Sequence, residues 1–175
     1  PLLPNIAKEM HKIFLAKGAL ATTAIEGNTL SEDEVMKHLE GKLQLPPSKK
    51  YLAQEIDNIV TACNYIADKV ITQKKHKLFA NEIKKYNGMV LKDLPLDDDI
   101  VPGEYRKHNV VVARYRGVTP DDCEHLLNKL CEWLNNEFTP PNDQYDIAFG
   151  ILKSIIAHIY LAWIHPFGDG NGRTA

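Results

Sequence analysis

Residues 165–173 read His-Pro-Phe-Gly-Asp-Gly-Asn-Gly-Arg, and the helical stretches before them look like the scaffold that presents this loop. Glycines at every second position let successive backbone N–H groups turn inward around an anion, because no Cβ obstructs them. A carboxylate is a ligand that Mg²⁺ accepts together with phosphate oxygens. A histidine can take up a proton at neutral pH. The stretch therefore predicts a loop for phosphate chemistry.

Each residue of this loop also has a simpler interpretation. An Asp-Gly-Asn-Gly run is a good turn sequence, and a histidine before proline is often the end of a helix. For His165 or Asp169 alone, the simpler interpretation is favoured. A plain turn, however, needs neither Arg173 nor so many glycines, so the combination favours a site. If Asn171 or Gly172 begins a helix, the positive end of that helix also faces the anion.

Composition limits the classes of function. The chain has 175 residues, 44% of them hydrophobic, which is enough for one core. The net charge of −2 gives no general attraction for nucleic acid. Three cysteines without CxxC spacing argue against a disulfide framework or a zinc site, and they favour a reducing, cytoplasmic location. No run reaches the roughly 18 apolar residues of a membrane span, so we expect no membrane association. No basic-then-apolar leader opens the chain, but the chain begins at Pro1 and not at a methionine, so removal of a leader stays open.

Most of the chain has helical periodicity. A first helix runs to Glu26 and closes at Gly27, and Ser31 with Glu34 forms a capping box for a short second helix. A long helix follows Ser48, and its predicted buried stripe is Leu52, Ile56, Ile59, Cys63, Ile66 and Val70. A last helix, about 145–164, is predicted to be the buried core helix. Its predicted inner residues are Ile147, Ile151, Ile155, Ile159 and Ala162.

One stretch breaks the helical period. Val110, Val111 and Val112 are β-branched and precede Arg-Tyr-Arg-Gly at 114–117, which predicts a short β-hairpin on an otherwise helical body. Helix resumes at Thr119-Pro120, where threonine can cap and proline suits the first turn.

The 165–173 string resembles the signature of the Fic domain family, His-Pro-Phe-x-Asp/Glu-Gly-Asn-Gly-Arg, at every defined position. The stretch Gly-Glu-Tyr-Arg at 103–106, the valine segment and the helix after Pro120 follow the order of the Fic core. The resemblance implies an all-α, Fic-type helical bundle with a small β-hairpin flap. It also implies a protein adenylyltransferase, which moves AMP from ATP to a hydroxyl side chain of a protein.

The resemblance also implies a role for each residue of the loop. His165 is the general base, and Asp169 holds Mg²⁺. The ATP phosphates are bound by Gly168, Gly170, Asn171, Gly172 and Arg173. The three valines, 110–112, offer a strand edge to the target. The implied partners are a protein target, including the protein itself, and a second copy in a homodimer. Arg114 or Arg116 is a further hypothesis for contact with nucleotide or target, and a merely solubilising role stays equally open.

A second resemblance lies near the N-terminus. Thr22, Glu26 and Gly27 match the inhibitory Ser/Thr-x-x-x-Glu-Gly/Asn motif of Fic proteins that are regulated in cis. In that family the glutamate pairs with a second motif arginine, three positions after the first, and keeps ATP out of its productive position. Because the sequence stops one residue short of that arginine, we expect it to be a segment of a longer protein.

The predicted organisation is an N-terminal helical region, 1–47, that carries the inhibitory motif, and a Fic core, 48–175, without its C-terminal helix. Three alternatives stay open for the activity. The loop could transfer phosphocholine, phosphate or UMP, it could remove AMP from a modified protein, or it could bind a nucleotide without turnover. The intact arginine, asparagine and glycines favour a nucleoside triphosphate donor, and the intact His165 argues against a binding module alone.

Overall fold

The computed structural model describes residues 3–72, 77–112 and 115–175, which are mainly helical. The elements in chain order are α1 (Pro4–Ile25), α2 (Glu32–Leu39), a 3-10 turn (Pro47–Lys49), α3 (Lys50–Thr72), α4 (Ala80–Val90), β1 (Val111–Val112), β2 (Tyr115–Arg116), α5 (Pro120–Asn136), a second 3-10 turn (Asp143–Tyr145), α6 (Asp146–Ile164) and α7 (Asn171–Thr174). Strands β1 and β2 form an antiparallel pair. The predicted all-α class with a small hairpin is confirmed.

Local signals set the ends of the first two helices as predicted. Helix α1 ends at the cap residue Glu26, and Gly27 follows with φ of 98°, a conformation that glycine adopts without steric cost. At the start of α2, the Ser31 side chain accepts from the Glu34 N–H, while the Glu34 carboxylate accepts from the Ser31 N–H. This reciprocal pair satisfies two backbone donors that a helix start otherwise leaves without partners.

The chain divides into two compact units, of which the first comprises Pro1–Gln73 with Met89–Pro95. Within it, α3 packs against α1 and α2. The buried amide of Asn28 links these elements, since its Nδ2 donates to the Leu52 carbonyl and to Glu55 Oε2, both at 2.9 Å. The predicted boundary after Pro47 does not coincide with this division, because α1, α2 and α3 pack together.

The predicted stripe of α3 is only half correct. Leu52, Ile56 and Ile59 are buried, whereas Cys63 is exposed and Val70 is 53% exposed. The buried positions of the helix stop at Ala62. Periodicity identifies the residues that share a face, but burial also requires an element that covers them.

The second unit comprises Lys74–Gly88 with Leu96–Ala175. Helices α4, α5 and α6 supply most of its core, and the residue that follows them into the core is Phe167. The buried members of this cluster are Ala80, Ile83, Leu127, Leu130, Cys131, Leu134, Leu161, Ile164 and Phe167. Helix α5 begins at Pro120 after Thr119, as predicted.

Helix α6 has the predicted extent, but the prediction that it is the buried core helix is wrong. Only Leu161 and Ile164 are buried, and four of the five residues predicted to face inward, Ile147, Ile151, Ile155 and Ile159, are 41–80% exposed. Ala162 is exposed as well. The described part of the chain provides no element that covers this face.

Helix α6 is also long and apolar enough to cross a membrane, by length and composition alone. Lys153, Ser154 and His158 interrupt its apolar run. Length and composition do not distinguish a membrane span from the core helix of a soluble protein. The absence of membrane association stays a prediction.

Candidate active site

The loop of residues 165–173 starts with an unusual backbone conformation at the end of α6. His165 is the C-cap and adopts φ of 49° and ψ of 58°. Its N–H donates to the Leu161 carbonyl at 2.9 Å, which completes the last turn. A left-handed conformation costs a non-glycine residue about 1–2 kcal/mol, so neighbouring contacts must hold His165 there. The side chain of His165 is half-buried.

Arg106, the last residue of the Gly-Glu-Tyr-Arg stretch, supplies those contacts. Its side chain is 4% exposed, and its Nε donates to the His165 carbonyl at 2.7 Å. The Arg106 backbone N–H donates to the Pro166 carbonyl at 3.0 Å. These partners are almost 60 residues away in sequence. No short-range pattern could have revealed them.

The middle of the loop folds back on itself through Asn171. Its Oδ1 accepts from the Phe167 N–H at 3.0 Å, and its Nδ2 donates to the Phe167 carbonyl at 2.9 Å. Both residues are buried. The Phe167 ring stacks on Tyr105 with a centroid distance of 6.1 Å. Asn171 therefore closes the loop, and its predicted contact with phosphate stays a prediction.

Burial raises the pKa of Tyr105 to about 12, with the nearby Glu124 carboxylate acting in the same direction. The phenol thus stays protonated at neutral pH, and its uncharged ring packs against Phe167. This makes Tyr105 a packing residue and not a source of charge.

Asp169 and Arg173 form an ion pair within the loop. Arg173 Nη2 lies 2.9 Å from Asp169 Oδ1, and their side chains are 5% and 34% exposed, respectively. The same carboxylate oxygen also accepts from the Gly170 N–H. Asp169, the predicted metal ligand, and Arg173, a predicted phosphate ligand, are therefore in direct contact and carry opposite charges.

Two of the predicted glycines have a steric reason for their identity. Gly170 has φ of 70° and caps α7. At Gly168 an added Cβ would lie 3.1 Å from Ile100 Cγ1, closer than most such contacts. Gly172 is exposed in the first turn of α7. Asn171 is the first residue of this helix, one of the two starting points that the sequence left open.

Asn87 of α4, a residue with no predicted role, also holds the loop. Its Nδ2 donates to the Asp169 carbonyl at 2.9 Å and to Thr174 Oγ1 at 3.2 Å. Its Oδ1 accepts from the Gly103 N–H at 2.9 Å. The side chain is fully buried, so this amide fixes the loop to the helical scaffold.

The hairpin is bonded to α6 near the end of that helix. Val110 precedes β1, and its carbonyl accepts from the Gly117 N–H at 3.0 Å. Val111 is 70% exposed and pairs with Arg116, while the backbone of Val112 pairs with Tyr115. The hypothesis for Arg114 falls outside the described residues. The Tyr115 hydroxyl donates to the Trp163 carbonyl at 3.0 Å, which connects the hairpin to α6.

The structure thus brings the predicted base, metal ligand and phosphate ligands together in one loop beside the hairpin. Thr22, Glu26 and Gly27 lie at the end of α1, in the first compact unit. There, Glu26 is exposed, and the neighbouring Thr23 is buried with its hydroxyl donating to the Ala19 carbonyl. Across the residues that the structure describes, no group of three or more His, Cys, Asp or Glu side chains could hold a metal alone.

Comparison with known proteins matches residues 77–175 to the Fic/DOC family. The chain is 30% identical over 154 residues to the protein adenylyltransferase fic-1 of Caenorhabditis briggsae. This match covers 88% of this chain and 29% of that protein. It is 31% identical over 155 residues to the protein adenylyltransferase Fic of Nematostella vectensis, and the match covers 88% of this chain and 34% of that protein. The chain therefore spans about a third of the length of these relatives.

Solved structures have the same fold. Fic-1 of C. elegans is 28% identical with a TM-score of 0.73, covering 95% of this chain and 46% of that one. A Fic domain containing signaling protein of Bacteroides thetaiotaomicron gives a TM-score of 0.76 at 23% identity. That match covers 99% of this chain and 63% of the other. Because the family match covers more than half of the residues and includes the whole loop, this chain belongs to the Fic/DOC family.

Proposed function

We propose that the protein transfers AMP from ATP to a hydroxyl side chain of a target protein. The observation that supports this most directly is the single loop that carries His165, Asp169 and Arg173 on a buried scaffold. Relatives at about 30% identity are protein adenylyltransferases. One candidate target is the protein itself.

In this mechanism His165 accepts the proton of the target hydroxyl as its oxygen attacks the α-phosphorus of ATP. The bond to the β-phosphate oxygen breaks, and pyrophosphate leaves. Backbone N–H groups around Gly170 and Gly172 stabilise the charge on the phosphoryl oxygens, as is usual for phosphoryl transfer. Arg173 holds the departing phosphates, since its guanidinium can bind two oxygens at once.

The residues of the loop fit Mg²⁺ bound together with the nucleotide. Asp169 offers one partly exposed carboxylate, and Mg²⁺ typically takes one or two carboxylates while phosphates and water complete its coordination. When bound, the ion would neutralise phosphate charge. Asp169 must then exchange at least part of its pairing with Arg173, whose guanidinium becomes available for phosphate oxygens.

The test of the proposed base is His165→Ala in the full-length protein, incubated with labelled ATP, Mg²⁺ and a cell lysate. General base catalysis contributes about 10²–10⁴-fold, so labelling should fall by at least about 100-fold while ATP binding is retained. His125→Ala removes an exposed histidine from α5 and serves as the matched control. Transfer by His165→Ala at the wild-type rate would exclude the proposed role.

We further propose that Glu26 restrains the activity, on the basis of its match to the inhibitory motif with Thr22 and Gly27. Glu26→Gly should raise labelling. The chain offers a matched control, because Glu40 is also an exposed C-cap residue followed by a glycine with positive φ. Glu40→Gly should leave labelling unchanged. Equal effects of the two substitutions would assign the increase to a loosened helix end and contradict autoinhibition.

One edge of the hairpin is our candidate for target binding, through backbone pairing with an extended target segment. The candidate residues are Val110, Val111 and Val112. Val111→Asp places a charge at a 70% exposed position, so it should raise KM for the protein target and leave KM for ATP unchanged. Val101→Asp, at a 56% exposed valine outside the hairpin, is the control. Identical kinetics for both variants would argue against this binding edge.

A further inference from the structure

The guanidinium of Arg106 connects two parts of the molecule that the proposed reaction must bring together. On one side it donates to the end of α6, from Nε to the His165 carbonyl at 2.7 Å and from Nη2 to the Ile164 carbonyl at 3.4 Å. On the other side it donates to the two segments that flank the hairpin, from Nη1 to the His108 carbonyl at 2.7 Å and from Nη2 to the Val118 carbonyl at 2.6 Å.

Arginine suits this position for a chemical reason. The carbonyls at the end of a helix lack helical partners and carry its negative dipole end. A planar guanidinium with five N–H donors can serve several carbonyls in fixed directions, whereas the flexible ammonium of lysine offers three donors at one point. The side chain is 4% exposed, so water competes little for these bonds.

Two independent contacts add to this connection. The Tyr115 hydroxyl of β2 donates to the Trp163 carbonyl at 3.0 Å, a second bond between the hairpin and α6. Gly117 leaves no spare room next to the guanidinium. There, an added Cβ would lie 2.9 Å from Val110 Cγ2 and 3.3 Å from Arg106 Nη2.

We infer that Arg106 is a positioning residue that fixes His165 and the target-binding hairpin in one register. The inference rests on the proposed function, because the register matters only if His165 acts on a target held at the hairpin. Arg106 contacts the carbonyls around His165 and not the reacting atoms. Its contribution should therefore appear in the rate of the chemical step and hardly at all in nucleotide affinity.

The test uses Arg106→Lys in the full-length protein, with Lys107→Met as the control for loss of an adjacent, exposed positive charge. A displacement of about 1 Å costs about 100-fold in rate. For Arg106→Lys we therefore expect kcat to fall about 100-fold, while KM for ATP changes by less than about threefold. An unchanged kcat would overturn the inference, as would a fall that matches the fraction of unfolded protein.

Hydrogen exchange gives a readout that does not depend on activity. In Arg106→Lys, the amides of the hairpin and those of residues 164–167 should lose protection together, while those of α5 keep theirs. Loss in only one of the two segments would overturn the inference. If the wild-type protein transfers no AMP, the proposed function fails, and the exchange pattern still decides whether Arg106 couples the segments.

Gly117→Ala covers the case in which Arg106→Lys does not fold. It keeps the arginine but presses on the guanidinium and on Val110. The same paired loss of protection and the same fall in kcat are expected, to a smaller degree. Wild-type kcat together with wild-type protection of both segments would count against Arg106 as the coupling residue.

Discussion

Asn171→Ala should destabilise the protein, because the amide that it removes pairs with both backbone groups of Phe167. The two hydrogen bonds are 3.0 Å and 2.9 Å long. Asn171 is 3% exposed and Phe167 is 1% exposed, so water cannot easily replace the lost partners. Each buried polar group left without a partner costs about 1–3 kcal/mol, which gives about 2–6 kcal/mol for the pair.

The measurement is thermal unfolding followed by circular dichroism. For a chain of this size 1 kcal/mol corresponds to about 2–4 °C, so Tm should fall by about 4–24 °C. Asn128→Ala makes the same chemical change at an exposed position of α5 and should stay within about 0.5 kcal/mol of wild type. Asn171→Asp should also destabilise, because it replaces the amide donor to the Phe167 carbonyl with an oxygen. Equal Tm values for Asn171→Ala and Asn128→Ala would refute the loop-closing role.

Three further predictions concern single contacts. Gly168→Ala should cost about 1 kcal/mol through its approach to Ile100 Cγ1, and this cost should shrink in an Ile100→Ala background, where that atom is absent; an unchanged cost would contradict the steric explanation. Ser31→Ala removes the capping box and should lower the free energy of unfolding by about 1 kcal/mol in urea titration, and an unchanged midpoint would argue against the cap. Burial raises the pKa of Cys131 to about 11, so about one thousandth is thiolate at pH 8. Iodoacetamide should then modify the exposed Cys63 first, and rapid labelling of Cys131 in the folded protein would contradict its burial.

The helices show what sequence periodicity can and cannot predict. The start and end of α6 agree with the sequence prediction to within a residue or two, because helix formation depends on neighbouring residues. The predicted burial of its isoleucines was wrong, as was that of Cys63 and Val70 on α3. Periodicity indicates which residues share a face, but the covering element lies elsewhere in the chain or in a partner, and a local pattern does not contain it.

In the candidate site, too, contacts between nearby residues must be distinguished from contacts between residues far apart in the sequence. Three pairs inside the loop are four residues apart: Phe167 with Asn171, Asp169 with Arg173, and Gly170 with Thr174. The loop therefore largely determines its own shape through local contacts. The sequence predicted that these residues share one loop, but it predicted none of the three pairs. The attachment of the loop to the scaffold depends instead on Arg106 and Asn87, which act across 59 and 82 residues. Substitutions within the motif should thus change chemistry and loop shape together, whereas substitutions at these two anchors should move an intact loop.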